Sequence, residues 1–320
     1  LWASISIGPG RTTDAARMMA IGCKMTMDAF AKTPGMITNI NINSPRKFDD
    51  TMADGAIALV RMGQAVIVTP FTLMGAMTPV TMAGALAQQN AEALFGIALL
   101  QMAHPGALCV YGGFTSNVAM RSGAPAFGTP ENAKANLCGG QLARRYNLPY
   151  RTSGCNASNV ADAQAVYETQ MSLWSALMGH GNMIYHAAGW LEGGLVASFE
   201  KFIIDIEIIH HMIKMLEPID TSDAEFGLEA IDQTGPGGHF FGSDHTLARY
   251  KTAFYEPFLS DWQNQENWQL AGAKTATMRA TEIWQDTLKN FEAPALDPAI
   301  IEELDHYIAM RKEEIGDSDP

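Results

Sequence analysis

The stretch YHAAGWLEGGL at 185–195 crowds Tyr185, His186, Trp190 and Glu192 into a short span that ends in paired glycines. A glycine-rich turn between an apolar run and a helical pattern ordinarily cradles phosphate. Glu192 argues against that, because its carboxylate repels an anion. A helix N-terminus favours an ionised carboxylate, and the faces of Trp190, Tyr185, Tyr111 and Phe114 would add attraction for a cation. The plainer reading, a carboxylate that only caps its own helix and pairs with Arg or Lys, stays open. His186 follows Tyr185 directly, so strand alternation puts only one of the two inside. His186 is an acid–base or ligand-binding candidate, and a satisfied structural histidine is the competing reading. His239, in GPGGHFF, is a second candidate because glycines let backbone approach a ligand; a surface-loop histidine is its alternative.

Further polar and aromatic groups stand where other apolar runs end: Gly8 and Gly10; Asn41, Asn43 and Ser44; Thr69 and Phe71; Tyr111, Phe114 and Asn117; Arg151, Thr152, Ser153 and Asn156. Neutral hydrogen-bonding groups and rings dominate. Lysine is nearly absent from these ends, Lys47 being the exception, which gives a Schiff-base lysine little support. No H-x-H or D-x-D pair stands at these ends, so a metal site has weak support. The turn-rich SGAPAFGTPE (122–131), with Arg121 before it, reads as a connection into a helix N-terminus or a loop over the site. Met74, Met77 and Met82 read as core filling.

The elements that must position these groups are legible as a repeated pattern. Apolar runs at SISIG (4–8), MITNININSP (36–45), AVIVTP (65–70), ALCVYGGF (107–114), LPYRTSG (148–154) and NMIYHAAG (182–189) each lead into a helical stretch. The predicted helices are 12–31, 50–62, 79–103, 130–146 and 160–178, with Thr129 capping and Pro130 opening the fourth. Strand–helix alternation implies a parallel sheet with every strand's C-terminal end on one side. No G-x-G-x-x-G turn follows a strand, which weakens a dinucleotide fold. The expectation is a TIM (β/α)8 barrel, N-terminally truncated, with six units visible and its site at the strands' C-terminal ends. Phe199, Phe202, Ile203, Ile206, Ile209, Ile213 and Leu216 mark an amphipathic helix after the last strand. Residues 1–219 are read as the barrel and 220–320 as a helical region packed on it, its tail fraying beyond Gly316.

Composition sets outer limits. Hydrophobic residues make up 47% and charged residues 17% of the chain, a globular rather than disordered balance. A net charge of −13 without a basic stripe argues against nucleic acid. Cys23, Cys109, Cys138 and Cys155 form no C-x-x-C pair and read as reduced thiols of a cytoplasmic protein. No apolar run is long enough for a membrane span.

Five longer stretches carry a resemblance: TPVTMAGALAQQNAEALFGI (78–97), SGAPAFGTPE, GQLARRYNLP, HAAGWLEGGLVASFEKFIID and GPGGHFFGSDHTLARY. Together they resemble the trimethylamine methyltransferase family over nearly the whole chain. The resemblance implies a TIM-barrel methyltransferase that passes a methyl group to the Co(I) corrinoid of a partner protein, with no tightly bound cofactor of its own. One branch of that family contains pyrrolysine, and the region TSGCNASNVADAQ (152–164) is where we place it. Every residue here is a standard amino acid, which favours a quaternary amine such as glycine betaine over trimethylamine. A quaternary nitrogen is already cationic, so its amine leaves without protonation, and the site needs orientation more than acid–base power. Glu192, Tyr111 and Phe114 are expected to help hold the cation, and Arg151, His186 or His239 the carboxylate. Tyr185, Trp190, Asn117 and Phe71 complete the expected lining. A barrel lyase or isomerase using His186 and Glu192 as acid and base, and a non-catalytic quaternary-amine binding protein, are the alternatives. A homo-oligomer is left open.

Overall fold

The structure, a computed structural model, describes residues 2–4 and 8–316. Six parallel strands, Trp2–Ser4, Met36–Ile40, Ala65–Val68, Cys109–Gly112, Tyr150–Ser153 and Met183–Tyr185, form one curled sheet in which chain order equals spatial order. Five of them fall within apolar runs predicted from sequence, each shorter than its run, while Trp2–Ser4 meets the predicted run 4–8 only at Ser4. In the first run, residues 5–7 lie outside the described residues, as does the tail beyond Gly316.

Register follows from residue alternation. Val68 pairs with Tyr111 and Tyr111 with Tyr150, so these three share a face. That face packs against the helices in one core with Phe30, Leu59, Val66, Ala93 and Leu100. Gly112 pairs with Arg151, Arg151 with Met183 and Ser153 with Tyr185, which places Arg151, Ser153 and Tyr185 together on the opposite, concave face.

Between the strands run helices Asp50–Arg61, Met82–Ala103, Pro130–Arg145 and Ala163–Met178. Asp49, Thr129 and Asp162 cap three of them by accepting from backbone N–H groups two or three residues on. The predicted helix 12–31 is two helices, Pro9–Gly22 and Met27–Lys32, because Lys24 turns left-handed between them at φ 53°.

The loops at the strands' C-terminal ends hold short strands that the sequence reading missed. Phe71–Met74 pairs in parallel with Phe114–Val118, which pairs antiparallel with Pro125–Ala126. Trp190–Leu191 pairs antiparallel with Val196–Ala197. Beyond residue 220 the described residues form helices joined by loops, with no strand among them. Helix Ala276–Lys289 packs on Phe199–Leu216, and Pro298–Ile315 returns to pack on Pro9–Gly22. No helix among the described residues is long and apolar enough to cross a membrane.

Candidate functional site

Arg151 is the residue that distinguishes the concave face. It is 2% exposed, yet its Nε and Nη1 have no hydrogen-bond partner among the described residues. Its guanidinium carbon lies 4.5 Å from the Tyr185 ring centre and 5.5 Å from that of Phe114. Ring faces offset part of the cost of burying a cation, but they accept no hydrogen bond. Burial pushes the Arg151 pKa down to about 10, and it stays charged at neutral pH. The Tyr185 hydroxyl is likewise buried and unpartnered among the described residues. A buried guanidinium and a phenol beside it, both with unused donors, suit an incoming carboxylate.

His186 completes the polar set. The strand ends at Tyr185, and His186 takes a left-handed conformation with φ 56°. That break cancels the alternation expected from sequence, and Tyr185 and His186 stand on the same side. The two rings meet edge to face at 6.2 Å. His186 Nδ1 is hydrogen-bonded to Ser153 Oγ. Burial, reinforced by the Arg151 charge, lowers its pKa to about 4, so the imidazole is neutral at physiological pH.

Aromatic rings enclose this pair. Phe114 stacks on His186 at 5.0 Å and on Phe127 at 4.7 Å, Phe71 packs on Phe114 at 5.1 Å, and the Trp190 edge meets His186 at 5.1 Å. Phe127, absent from the sequence-predicted set, is fully buried at the centre of this stack. The sequence identifies Ser153 only as a strand-end polar group. Its partnership with His186 depends on the left-handed turn that sequence spacing does not reveal.

The other expected site residues stand elsewhere. Tyr111 is fully buried on the helix-facing side, where its hydroxyl donates to Asn90 Oδ1 and accepts from Gln89 Nε2. Asn117 lies in the short outer sheet and accepts from Thr129 Oγ1 at 2.9 Å. His239 is in an exposed loop of the C-terminal region, against Phe241. Glu192 does not begin the long helix, which starts at Phe199 with Ser198 as its cap. It occupies a single 3-10 turn, Glu192–Gly194, inside the Trp190–Ala197 hairpin, and its side chain is exposed. A methyl added at Gly193 would meet Pro125 and Phe127 at 3.4 and 3.5 Å, so this turn rests on the aromatic stack.

The comparisons with known proteins agree on one family. The family described as "Trimethylamine methyltransferase (MTTB)" matches residues 2–316. The glycine betaine methyltransferase of Desulfitobacterium hafniense strain Y51 is 37% identical over 313 residues, 97% of this chain and 64% of that protein. Trimethylamine methyltransferase MttB of D. hafniense strain DCB-2 is 29% identical, covering 98% of this chain and 63% of its own length. MttB2 of Methanosarcina mazei is 31% identical over 264 residues, 82% of this chain and 52% of the relative. The chain thus spans less than two thirds of the length of these relatives.

Proposed function

Because the chain belongs to the trimethylamine methyltransferase family, we propose that the whole protein moves a methyl group from a methylated ammonium carrying a carboxylate, of the glycine betaine type, to a Co(I) corrinoid borne by a partner protein. The observation that supports a carboxylated substrate is the buried guanidinium of Arg151, whose Nε and Nη1 have no partner among the described residues. In this reading Arg151 and the Tyr185 hydroxyl donate to the carboxylate. With Ser153 donating to His186 Nδ1, the imidazole keeps its proton on Nε2 and adds a third donor. Phe71 and Trp190 offer ring faces to the quaternary nitrogen, and Phe114, stacked on His186 and Phe127, stiffens the wall beside them. The corrinoid is a methyl acceptor and supplies the nucleophile.

This chain's residues then orient the donor, exclude water and neutralise the carboxylate, and none has to deliver a proton to the departing tertiary amine. A His186 with a pKa near 4 is a weak base at neutral pH, which disfavours the acid–base lyase reading. We assign Glu192 to the mouth, where its charge attracts the cationic end of the substrate. We read the curled sheet as part of a (β/α)8 barrel, with residues 1–219 as the strand-bearing domain and 220–320 as a helical region packed on it. The compartment we propose is the cytoplasm, in keeping with four cysteines that are all unpaired.

The test incubates the full-length protein with Co(I) cobalamin and glycine betaine, trimethylamine or tetramethylammonium, and follows methylcobalamin by its absorbance. Methyl transfer that prefers the betaine is expected. Betaine binding without methyl transfer points to a binding protein, and transfer from none of the three overturns the proposal.

A further inference from the structure

Behind the hairpin that carries Trp190 lies a buried polar network that the methyl-transfer reading does not use. Lys201 and Asp205, one turn apart on the Phe199–Leu216 helix, are 0% and 1% exposed and form an ion pair. One arm of the network runs from Asp205 Oδ2, which accepts from the backbone N–H of Gly189 at 2.9 Å. The other runs from Lys201 Nζ, which donates to Thr169 Oγ1 at 2.8 Å. Thr169 Oγ1 also accepts from Asn156 Nδ2 at 3.2 Å, and that same amide donates to the Trp190 carbonyl at 2.7 Å. The Asn156 carbonyl closes the arm by accepting from Gly193 N–H at 2.9 Å. Thr169 and Asn156 are each 1% exposed.

The two arms grip consecutive residues. Gly189, at φ 84°, is held through its N–H and Trp190 through its C=O, within four residues of the left-handed His186. A segment with a strained residue at one end keeps its shape only where its surroundings over-determine it. A buried ion pair is costly against an apolar pair of equal volume, so stability alone is a weak reason to retain one. Asp205, however, has a second oxygen left over after Lys201, and that oxygen is what fixes Gly189.

We propose that Asp205 and Thr169 are positioning residues that set the His186 and Trp190 rings against Arg151 and Phe114, with Lys201 neutralising the Asp205 charge. The inference rests on the methyl-transfer reading for its kinetic consequence, but not for its geometric one.

Three variants of the full-length protein test it. The double variant Lys201→Met, Asp205→Leu replaces the pair with apolar groups and leaves Gly189 N–H without an acceptor. Lys201→Met, Asp205→Asn removes both charges but keeps an oxygen for Gly189. Thr169→Val, nearly isosteric, cuts the second arm and serves where the first variant does not fold. The Leu variant and Thr169→Val are expected to lower kcat about tenfold or more, since small misplacements cost on this scale. They should also shift the His186 imidazole NMR signals. The Asn variant should stay within about threefold of the parent, with unmoved signals. A folded Leu variant, or Thr169→Val, with parental kcat or unmoved His186 signals overturns the proposal, and so does an Asn variant as impaired as the Leu variant. If the parent protein transfers no methyl group, the methyl-transfer reading has failed, and the NMR signals alone decide the positioning claim.

Discussion

Arg151 and His186 leave different marks on stability, and this separates their roles experimentally. A buried guanidinium with two nitrogens unpartnered among the described residues pays its desolvation without full return. Arg151→Met keeps similar bulk under the Phe114 and Tyr185 rings and removes that cost. Its urea midpoint should therefore stay level or rise, by an equivalent of about 1–3 kcal/mol, while glycine betaine affinity falls at least tenfold. Tetramethylammonium, which has no carboxylate, should bind the variant as it binds the parent. Equal loss for both ligands in calorimetry would separate Arg151 from the carboxylate. His186 leaves a different mark, through pH. Its folded pKa of about 4 lies below the ordinary histidine value, so the unfolded chain takes up a proton that the folded chain refuses. Stability is then complete above about pH 6.5, is lost as pH falls, and levels off below about 4, a total of about 3 kcal/mol. Denaturant midpoints across that window should fall more steeply for the parent than for His186→Asn. Aromatics and a strand-end Arg were readable in the sequence as a set. Tyr111 misled because its place on the strand pointed it to the helices, and Phe127 was hidden in a loop whose fold depends on contacts with Phe114.

At the scale of elements, five strands of the curled sheet were legible because each lies in an apolar run flanked by turn residues, and these runs recur with a helical stretch between them. The strands at 71–74, 114–118, 125–126, 190–191 and 196–197 were not, since each follows the previous strand without an intervening α-helix and pairs only once the loops are in place. The same limit explains Glu192. Its local sequence fits a helix start, but Ser198 is the better cap and the hairpin strands end the competition. Helix contacts leave a sharper trace. Helix Pro130–Arg145 crosses helix Ala163–Met178 so closely that a methyl on Gly140 would lie 1.9 Å from the Gly179 carbonyl oxygen. Arg144 donates to that same oxygen at 2.7 Å, which fixes the helix end in place. Gly140→Ala must push the helices apart, and about 2–3 kcal/mol of destabilisation is expected in urea unfolding. Because Asn136 bonds Thr152 from the same helix, the shift should also reach the Tyr150–Ser153 strand and weaken ligand binding. A variant as stable as the parent would mean the crossing has slack that the structure does not show.

For the whole molecule, the question is whether the helical stretch after residue 220 is part of one cooperative unit with the sheet. Its last helix, Pro298–Ile315, returns to the first, Pro9–Gly22, through a compact polar clasp. Asp14 Oδ1 accepts from the Tyr307 hydroxyl at 2.6 Å and from Arg311 Nε at 2.8 Å, while Asp14 Oδ2 accepts from Arg311 Nη2 at 3.1 Å. Burial raises the Asp14 pKa, but the bonds from Arg311 and Tyr307 outweigh it, and the net direction is down. A depressed carboxyl stabilises the fold above its unfolded pKa and loses that contribution as pH falls through the folded value. The clasp therefore opens in acid. Around it, the C-terminal helix buries only Ile300 and Tyr307, far less than the sheet's core, which makes it the segment that opens first. Arg311→Ala should speed amide exchange along 298–315 and on the facing side of 9–22, and acid should do the same to the parent. Exchange in the Ala65–Val68 and Cys109–Gly112 strands, at the centre of the sheet, should not change in the variant. Protection lost equally in both places would show a single cooperative unit. Protection lost only at the clasp would show that the ends of the chain open without disturbing the Arg151–His186 cluster, which is built wholly between residues 71 and 190.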